Sequence, residues 1–206
     1  MYNYSIMISK ILKRTIDIIG SLIGLIILLP FFPFIALAIK INSKGPVLIK
    51  LDRVSGGRII KVYKFRSMVI DAEKMKKGLL ILNERNDGPF FKIKNDPRIT
   101  RIGKILRKFR LDELPQLINV LKGELSLVGP RPHEPEELFA YPREYRELLT
   151  AKTGLTGLSQ VNGASSLKFL KELEFDNYYL QNQSLWLDIK ILFKTIFIFF
   201  TDPTGV

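Results

Sequence analysis

Residues 18–39 read IIGSLIGLIILLPFFPFIALAI, a run without one charged side chain. As a straight helix of about 22 residues it would reach about 33 Å, enough to cross a bilayer. Two features argue against a simple crossing. Pro30 and Pro33 lie inside the run, where each removes a helix donor and clashes with the preceding turn. Lys10, Lys13 and Arg14 precede the run, and Lys40 and Lys44 follow it. A spanning helix instead carries its Lys/Arg excess on one side. Positive charge at both ends suits a segment that enters a membrane, bends at Leu29-Pro30 and leaves by the same face. A spanning helix with a proline kink stays open at this level. A signal peptide cleaved near Ala36-Leu37-Ala38 fits less well, because the apolar run exceeds a typical signal core. The run reads as a retained membrane anchor.

The remaining chain is basic. Of 206 residues, 32 are Lys or Arg and 20 are Asp or Glu, a net charge of +12. Such an excess calls for an anionic partner: nucleic acid, phospholipid or a phosphorylated substrate. The absence of cysteine and the single histidine, His133, exclude disulfide scaffolds, thiolate metal sites and cysteine nucleophiles. Chemistry therefore falls to carboxylates, Lys and Arg, hydroxyls or a hard metal ion.

Segments 47–54 and 58–65 are β-branched and separated by Ser55-Gly56-Gly57, a hairpin signal. Helices are expected over 72–82, 98–109 and 114–121, with Gly123 as a stop signal, and again over 134–149 and 167–181. A short strand is expected over 90–94, and an extended or loop segment over 154–161. The run 184–200 is nearly as apolar as the first and holds Trp186, Phe193 and Phe197, with Lys190 and Lys194 four apart. It is either a buried helix or one lying in a membrane interface. The fold class is α+β and mainly helical: an anchor over 1–44, then a globular domain over 45–206.

The sharpest local feature is Leu111-Asp112-Glu113-Leu114-Pro115. Asp112 suits a helix N-cap, and Pro115 is harmless in the first turn. Taken alone, two acids there favour the macrodipole, which would also keep Asp112 ionised. The preceding helix changes the weighting, because it carries Arg101, Lys104, Arg107 and Lys108 opposite its apolar face and leads into Arg110. A carboxylate pair beside basic groups is what a phosphate–metal site requires. The cations hold phosphates, one carboxylate binds Mg²⁺ and the other can attack phosphorus. Lys64-Phe65-Arg66-Ser67-Met68, Asp96-Pro97-Arg98 and Pro130-Arg131-Pro132 are further basic clusters. Each alone is better explained as solvated charge. His133 reads as a surface or capping residue.

Together, KFRSM (64–68), NDPRITRIGKILRK (95–108), LDELPQLINVLKGELSLVGPRP (111–132) and GLTGLSQVNG (154–163) resemble the bacterial sugar transferase family. These are the monotopic phosphoglycosyl transferases that begin the assembly of cell-surface glycans. The resemblance runs from the anchor to LWLDIKIL (185–192) and looks like the minimal form, without extra membrane helices. It implies ping-pong transfer of a sugar-1-phosphate from a UDP-sugar to undecaprenyl phosphate through an aspartyl-phosphosugar, with release of UMP. Carried onto this sequence, Asp112 is the nucleophile, Glu113 the Mg²⁺ ligand and Arg107 a phosphate-binding arginine. Lys64, Arg66, Arg98 and Arg131 fall in the family's other active-site motifs, as substrate-binding residues. The implied partners are the UDP-sugar, undecaprenyl phosphate and membrane phospholipid; nucleic acid is not among them, and a homo-oligomer is left open. The family's anchor is a re-entrant helix broken at a proline-containing pair, which matches Leu29-Pro30. The domain would then lie on the cytoplasmic face of the bacterial inner membrane. Gly163-Ala164-Ser165-Ser166 departs from the family's Arg-containing continuation, so the sugar is unassigned. The reading from another class is a non-catalytic membrane-anchored basic module binding anionic lipid or nucleic acid. It leaves the acidic pair unexplained, and helix 98–109 lacks the interleaved aromatics of a nucleic-acid binder.

Overall fold

The computed structural model describes residues 2–201. The chain is mainly helical and carries a small hairpin, with a bent helix pair at its N-terminus. Helix α1 spans Tyr2–Leu28 and α2 spans Phe32–Asn42. The break falls where Pro30 offers no donor, and Pro33 sits harmlessly in the first turn of α2. Among the described residues no single helix is long and apolar enough to cross a membrane. Met7–Leu28 and Phe32–Asn42 form one apolar pair bent by 62°.

Strands β1 (Leu48–Ser55) and β2 (Arg58–Phe65) pair antiparallel from Leu48↔Phe65 to Ser55↔Arg58. Their turn is Gly56-Gly57, both left-handed, as a tight hairpin requires. Helices α3 (Ala72–Gly78) and α4 (Arg101–Lys108) follow, then a 3-10 turn over Leu111–Gln116 and α5 (Leu117–Lys122). Strand β3 (Ser126–Val128) pairs parallel with β4 (Gly154–Thr156). Helices α6 (Leu158–Val161), α7 (Phe169–Gln181) and α8 (Leu185–Thr201) complete the order.

The largest core cluster gathers Val62, Leu117, Val120, Leu125, Val128, Tyr179 and Ile191, with Ile16 and Leu25 of α1 packed against it. Helix α1 therefore shares its packing with the globular elements. It comes close because two glycines face them. A Cβ on Gly20 would stand 2.6 Å from Leu127 Cδ1, and one on Gly24 2.7 Å from Leu117 Cδ1. Polar ties fix the same face. Buried Asp17 accepts from Leu127 N at 2.8 Å and from Ser126 Oγ at 2.9 Å. Lys13 pairs with Asp188 of α8 at 2.7 Å. Arg14 donates to the last carbonyls of α5, Val120 O and Leu121 O, both at 2.7 Å. Two of the basic residues flanking the apolar run thus fasten the fold.

Several sequence expectations need correction. The helix expected over 72–82 ends at Gly78, and Leu80–Leu82 form a separate 3-10 turn. Residues 90–94 form no strand. The side chain of Asn83 takes the place of a partner strand, donating to Phe90 O at 3.2 Å and accepting from Lys92 N at 2.8 Å. The helix expected over 134–149 is two 3-10 turns, Pro135–Ala140 and Arg143–Thr150, divided at Pro142. The helix expected from residue 98 begins at Arg101, where Thr100 caps it by accepting from Gly103 N at 2.9 Å. Asp112 is no N-cap; it lies inside the 3-10 turn.

Candidate active site

Packing of α5 beside β2 fixes the position of the acidic pair. Asn119 of α5, fully buried, accepts from Tyr63 N at 3.0 Å and donates to Lys61 O at 2.8 Å. One side chain thus stands in for a third strand and holds the start of α5 against the hairpin. Just upstream, Arg110 adopts a left-handed conformation (φ 51°), a backbone state that costs a non-glycine residue about 1 kcal/mol or more. That kink turns the chain from α4 into the Leu111–Gln116 turn and brings Asp112 and Glu113 to the wall of a cleft of about 600 Å³.

Three predicted cations meet the pair there. Lys64, on β2, donates to Glu113 Oε1 at 2.7 Å. Arg107, in the last turn of α4, donates from Nε to Ser67 Oγ at 2.9 Å. Its approach depends on Gly103, whose Cβ would collide with the carbonyl oxygen of Ser67. Arg131, in the loop after β3, lines the same cleft with its side chain 37% exposed. The other two predicted arginines border the cleft but spend their guanidinium groups on the scaffold. Arg66, buried, donates to Lys44 O and to Ser43 O, closing the C-terminus of α2. Arg98, also buried, forks onto Asp96 at 2.6 Å and donates to Ala72 O at 3.2 Å.

The electrostatics separate the two acids. Burial pushes the Asp112 pKa up; the Lys64 charge pulls it back, the Glu113 charge adds to the rise, and Arg107 opposes it. The balance is upward. Glu113 is also opposed by burial, but the charge and hydrogen bond of Lys64, with Arg131 and Arg110, hold it well below the usual carboxylate range. The helix-dipole argument for Asp112 is thus replaced by burial against neighbouring cations. Two adjacent carboxylates on a polar cleft wall are the hard-oxygen donor type that suits Mg²⁺. Glu113, whose charge the site favours, would be the better ligand for such an ion. The same ion would neutralise charge on a phosphoryl group in the cleft.

The sequence reading missed a second group of charges beside the cleft. His133 is buried, contrary to a surface role. Its Nδ1 lies 3.4 Å from Glu137 Oε2 and its Nε2 3.3 Å from Glu172 Oε1. Phe90 stacks on its ring at 5.3 Å. Glu172 and Asp176 sit on the buried face of α7 with Phe169, Leu173 and Tyr179. Two acids at core-facing positions of a helical stripe are the signal that would have found them.

A carboxylate dyad, Asp112 buried and Glu113 partly exposed, in a cationic cleft beside a bent apolar helix pair suits a class: a phosphoryl-handling protein with an apolar appendage. The chain belongs to the bacterial sugar transferase family, whose model matches residues 8–202. It is 44% identical over 191 residues to an undecaprenyl-phosphate galactose phosphotransferase of Salmonella typhimurium, covering 91% of this chain and 40% of the relative. It is 41% identical over 211 residues to a UDP-glucose:undecaprenyl-phosphate glucose-1-phosphate transferase of Klebsiella pneumoniae, covering 96% and 42%. An exopolysaccharide production protein of Rhizobium leguminosarum is 42% identical over 201 residues, covering 90% and 94%. The chain thus spans about two fifths of the length of the first two relatives and nearly all of the third.

Proposed function

We propose that this chain transfers a sugar-1-phosphate from a UDP-sugar to undecaprenyl phosphate through a covalent intermediate on Asp112. One observation carries the reading: Asp112 and Glu113 share one cleft wall with Lys64, Arg107 and Arg131, the cations a diphosphate needs. A carboxylate oxygen of Asp112 attacks the sugar-bearing phosphorus, the phosphoanhydride bond breaks, and UMP departs with the bonding pair. An oxygen of undecaprenyl phosphate then attacks the same phosphorus. The acyl-phosphate bond breaks, Asp112 regains its carboxylate, and a polyprenyl diphosphate sugar leaves. Lys64, Arg107 and Arg131 neutralise charge on the phosphates; Glu113 would hold Mg²⁺, which supplies further neutralisation when bound. Splitting the transfer into two steps lets a water-soluble donor and a lipid acceptor use one site in turn.

A lipid acceptor asks for a membrane, and the exposed apolar surface supports one. Ile26, Leu29, Phe34, Leu37 and Ile41 of the bent pair are each at least 60% exposed, as are Trp186, Phe193 and Phe197 of α8. An apolar surface of this extent marks an interaction site. We read α1–α2 as a re-entrant anchor in the inner membrane and α8 as an interfacial helix, with the cleft on the cytoplasmic face.

The test is UMP release by the purified chain with Mg²⁺, undecaprenyl phosphate and a panel of UDP-sugars including UDP-galactose and UDP-glucose. One UDP-sugar should give acceptor-dependent turnover. Without acceptor, intact-mass analysis should show the chain heavier by one phosphosugar. No release across the panel would overturn the reading. Because the chain has no cysteine, Lys10→Cys and Lys44→Cys can report topology. Both should label from the same face, and opposite-face labelling would restore a spanning helix.

A further inference from the structure

The acids of α7 stand where they can act on the cleft. Asp176 accepts from the backbone N–H of Arg131 at 2.9 Å through Oδ2 and from Ser159 Oγ at 2.7 Å through Oδ1. One turn earlier, Glu172 points Oε1 at the same loop, 3.8 Å from Arg131 Nε and 3.3 Å from His133 Nε2. That oxygen is buried and makes no hydrogen bond, although two cationic groups stand within reach. A buried carboxylate is costly unless paired, and at 3.8 Å the partly exposed Arg131 guanidinium, which lines the cleft with it, is a charge partner for Glu172. Pro130 and Pro132 bracket Arg131 and stiffen the loop between them. The backbone of the arginine is thus pinned by one acid, and its side chain is drawn by the other.

His133, Glu172 and Asp176 bring their ligand atoms within 4.8 Å of one another, a spacing that a metal ion could use. Two facts weigh against that occupant. Both oxygens of Asp176 already accept protein donors, and the Arg131 guanidinium supplies positive charge beside Glu172.

We propose that Glu172 is a positioning residue that holds the Arg131 guanidinium at the cleft wall, so that the arginine meets a nucleoside diphosphate already oriented. The inference rests on the reading of the cleft as a UDP-sugar site. A guanidinium held by one carboxylate loses less side-chain freedom when a phosphate binds, which favours affinity. Loss of one oriented charge-assisted bond weakens binding by about tenfold.

Isothermal titration of UDP into the purified full chain tests this, with Arg131→Ala, Glu172→Gln and the double variant. Arg131→Ala should weaken UDP binding about tenfold or more, and Glu172→Gln by about tenfold. The double variant should bind no more weakly than Arg131→Ala, since Glu172 acts only through the arginine. In turnover, Glu172→Gln should raise KM for the UDP-sugar and leave kcat within about twofold. Glu172→Asp keeps the charge but withdraws it by one methylene, so it should give an intermediate loss. It also serves if the Gln variant does not fold. Multiplicative losses in the double variant, or normal UDP affinity in Glu172→Gln beside a weakened Arg131→Ala, would overturn the positioning role and leave the functional reading standing. A wild-type chain that binds no UDP and releases no UMP would overturn both.

Discussion

Two carboxylate pairs act on Arg131, and they have been folded to different ends. Asp112 and Glu113 are neighbours in the chain on a 3-10 turn. Glu172 and Asp176 are one helical turn apart on α7. The first pair faces a cleft, and its cations reach it as side chains from β2, α4 and the β3 loop. The second pair is more deeply buried: Glu172 reaches the edge of the same cleft and Asp176 lies behind it. Its partners are a hydroxyl, a backbone N–H, an imidazole and the Arg131 guanidinium. Burial raises the pKa of Asp176 to about 6, with the Glu172 charge adding to it and the Ser159 and Arg131 hydrogen bonds resisting. Burial also raises Asp112, but there the opposing charges are the Lys64 and Arg107 side chains that line the cleft. Acidity alone therefore does not separate a reactive carboxylate from a structural one. Under the proposed function, what separates them is that both members of the first pair line the cleft, whereas Asp176 does not.

The sharpest way to break this comparison is Asp112→Asn. If the first pair is chemical, the amide should fold normally and lose UMP release by about 10³-fold or more, since a nucleophile is removed outright. Retained turnover together with an unchanged melting temperature would leave no chemical distinction between the pairs. Glu113→Gln should cost less, about 10²-fold. The Lys64 contact at 2.7 Å would lose its ionic character, and the proposed Mg²⁺ its ligand. Raising the Mg²⁺ concentration should recover part of that loss, and failure to do so would remove Glu113 from the metal's vicinity.

How much of each pair was legible in the sequence follows from the same contrast. The dyad was readable because its residues are adjacent and follow a basic helix directly. Its cations were readable as residue types, but their commitments were not. Arg66 and Arg98 look like Lys64 and Arg131 in a string, yet they are spent on the carbonyls closing α2 and on Asp96. Those assignments depend on where α2 ends relative to β2, which is a tertiary fact. The hairpin and the break at Leu29-Pro30 were legible because glycine and proline act locally. The strand expected over 90–94 failed because β propensity needs a partner edge, and Asn83 supplied the hydrogen bonds instead. The second pair was hidden because its meaning comes from His133, some forty residues away in the chain. Only the apolar stripe around Glu172 and Asp176 pointed to it.

A stability measurement probes the second pair next. Asp176→Ala would leave the Arg131 N–H and the Ser159 hydroxyl without their acceptor, at about 2 kcal/mol. The melting temperature should fall, and UMP release per folded molecule should fall only modestly. A loss of turnover matching Asp112→Asn, with stability unchanged, would move Asp176 into the chemical pair.

The smallest effect is the most specific to a charge-held cluster. Burial opposes charge on His133, but the carboxylates of Glu137 and Glu172, 3.4 and 3.3 Å away, outweigh it and push its pKa up to about 9. The folded chain therefore keeps a proton that an unfolded one releases near about 6.5. A raised pKa of this kind stabilises fully below about 6.5, and the contribution drains away as pH climbs through about 9. Glu137 stays ionised across that window, because the imidazolium lowers its pKa against the burial that raises it. Glu172 does so through Arg131 and His133 together, again against burial. Melting curves of the wild type and His133→Gln from pH 6 to pH 10 should differ most at the acid end and narrow to a residual gap at the alkaline end. Phe90 and Tyr141 pack on the ring at 5.3 and 5.6 Å, so part of the difference is packing and persists at every pH. A gap that stayed constant from pH 6 to pH 10 would mean packing is the whole of it. Glu172 would then face a neutral imidazole, and Arg131 would be its one cationic partner in the cluster.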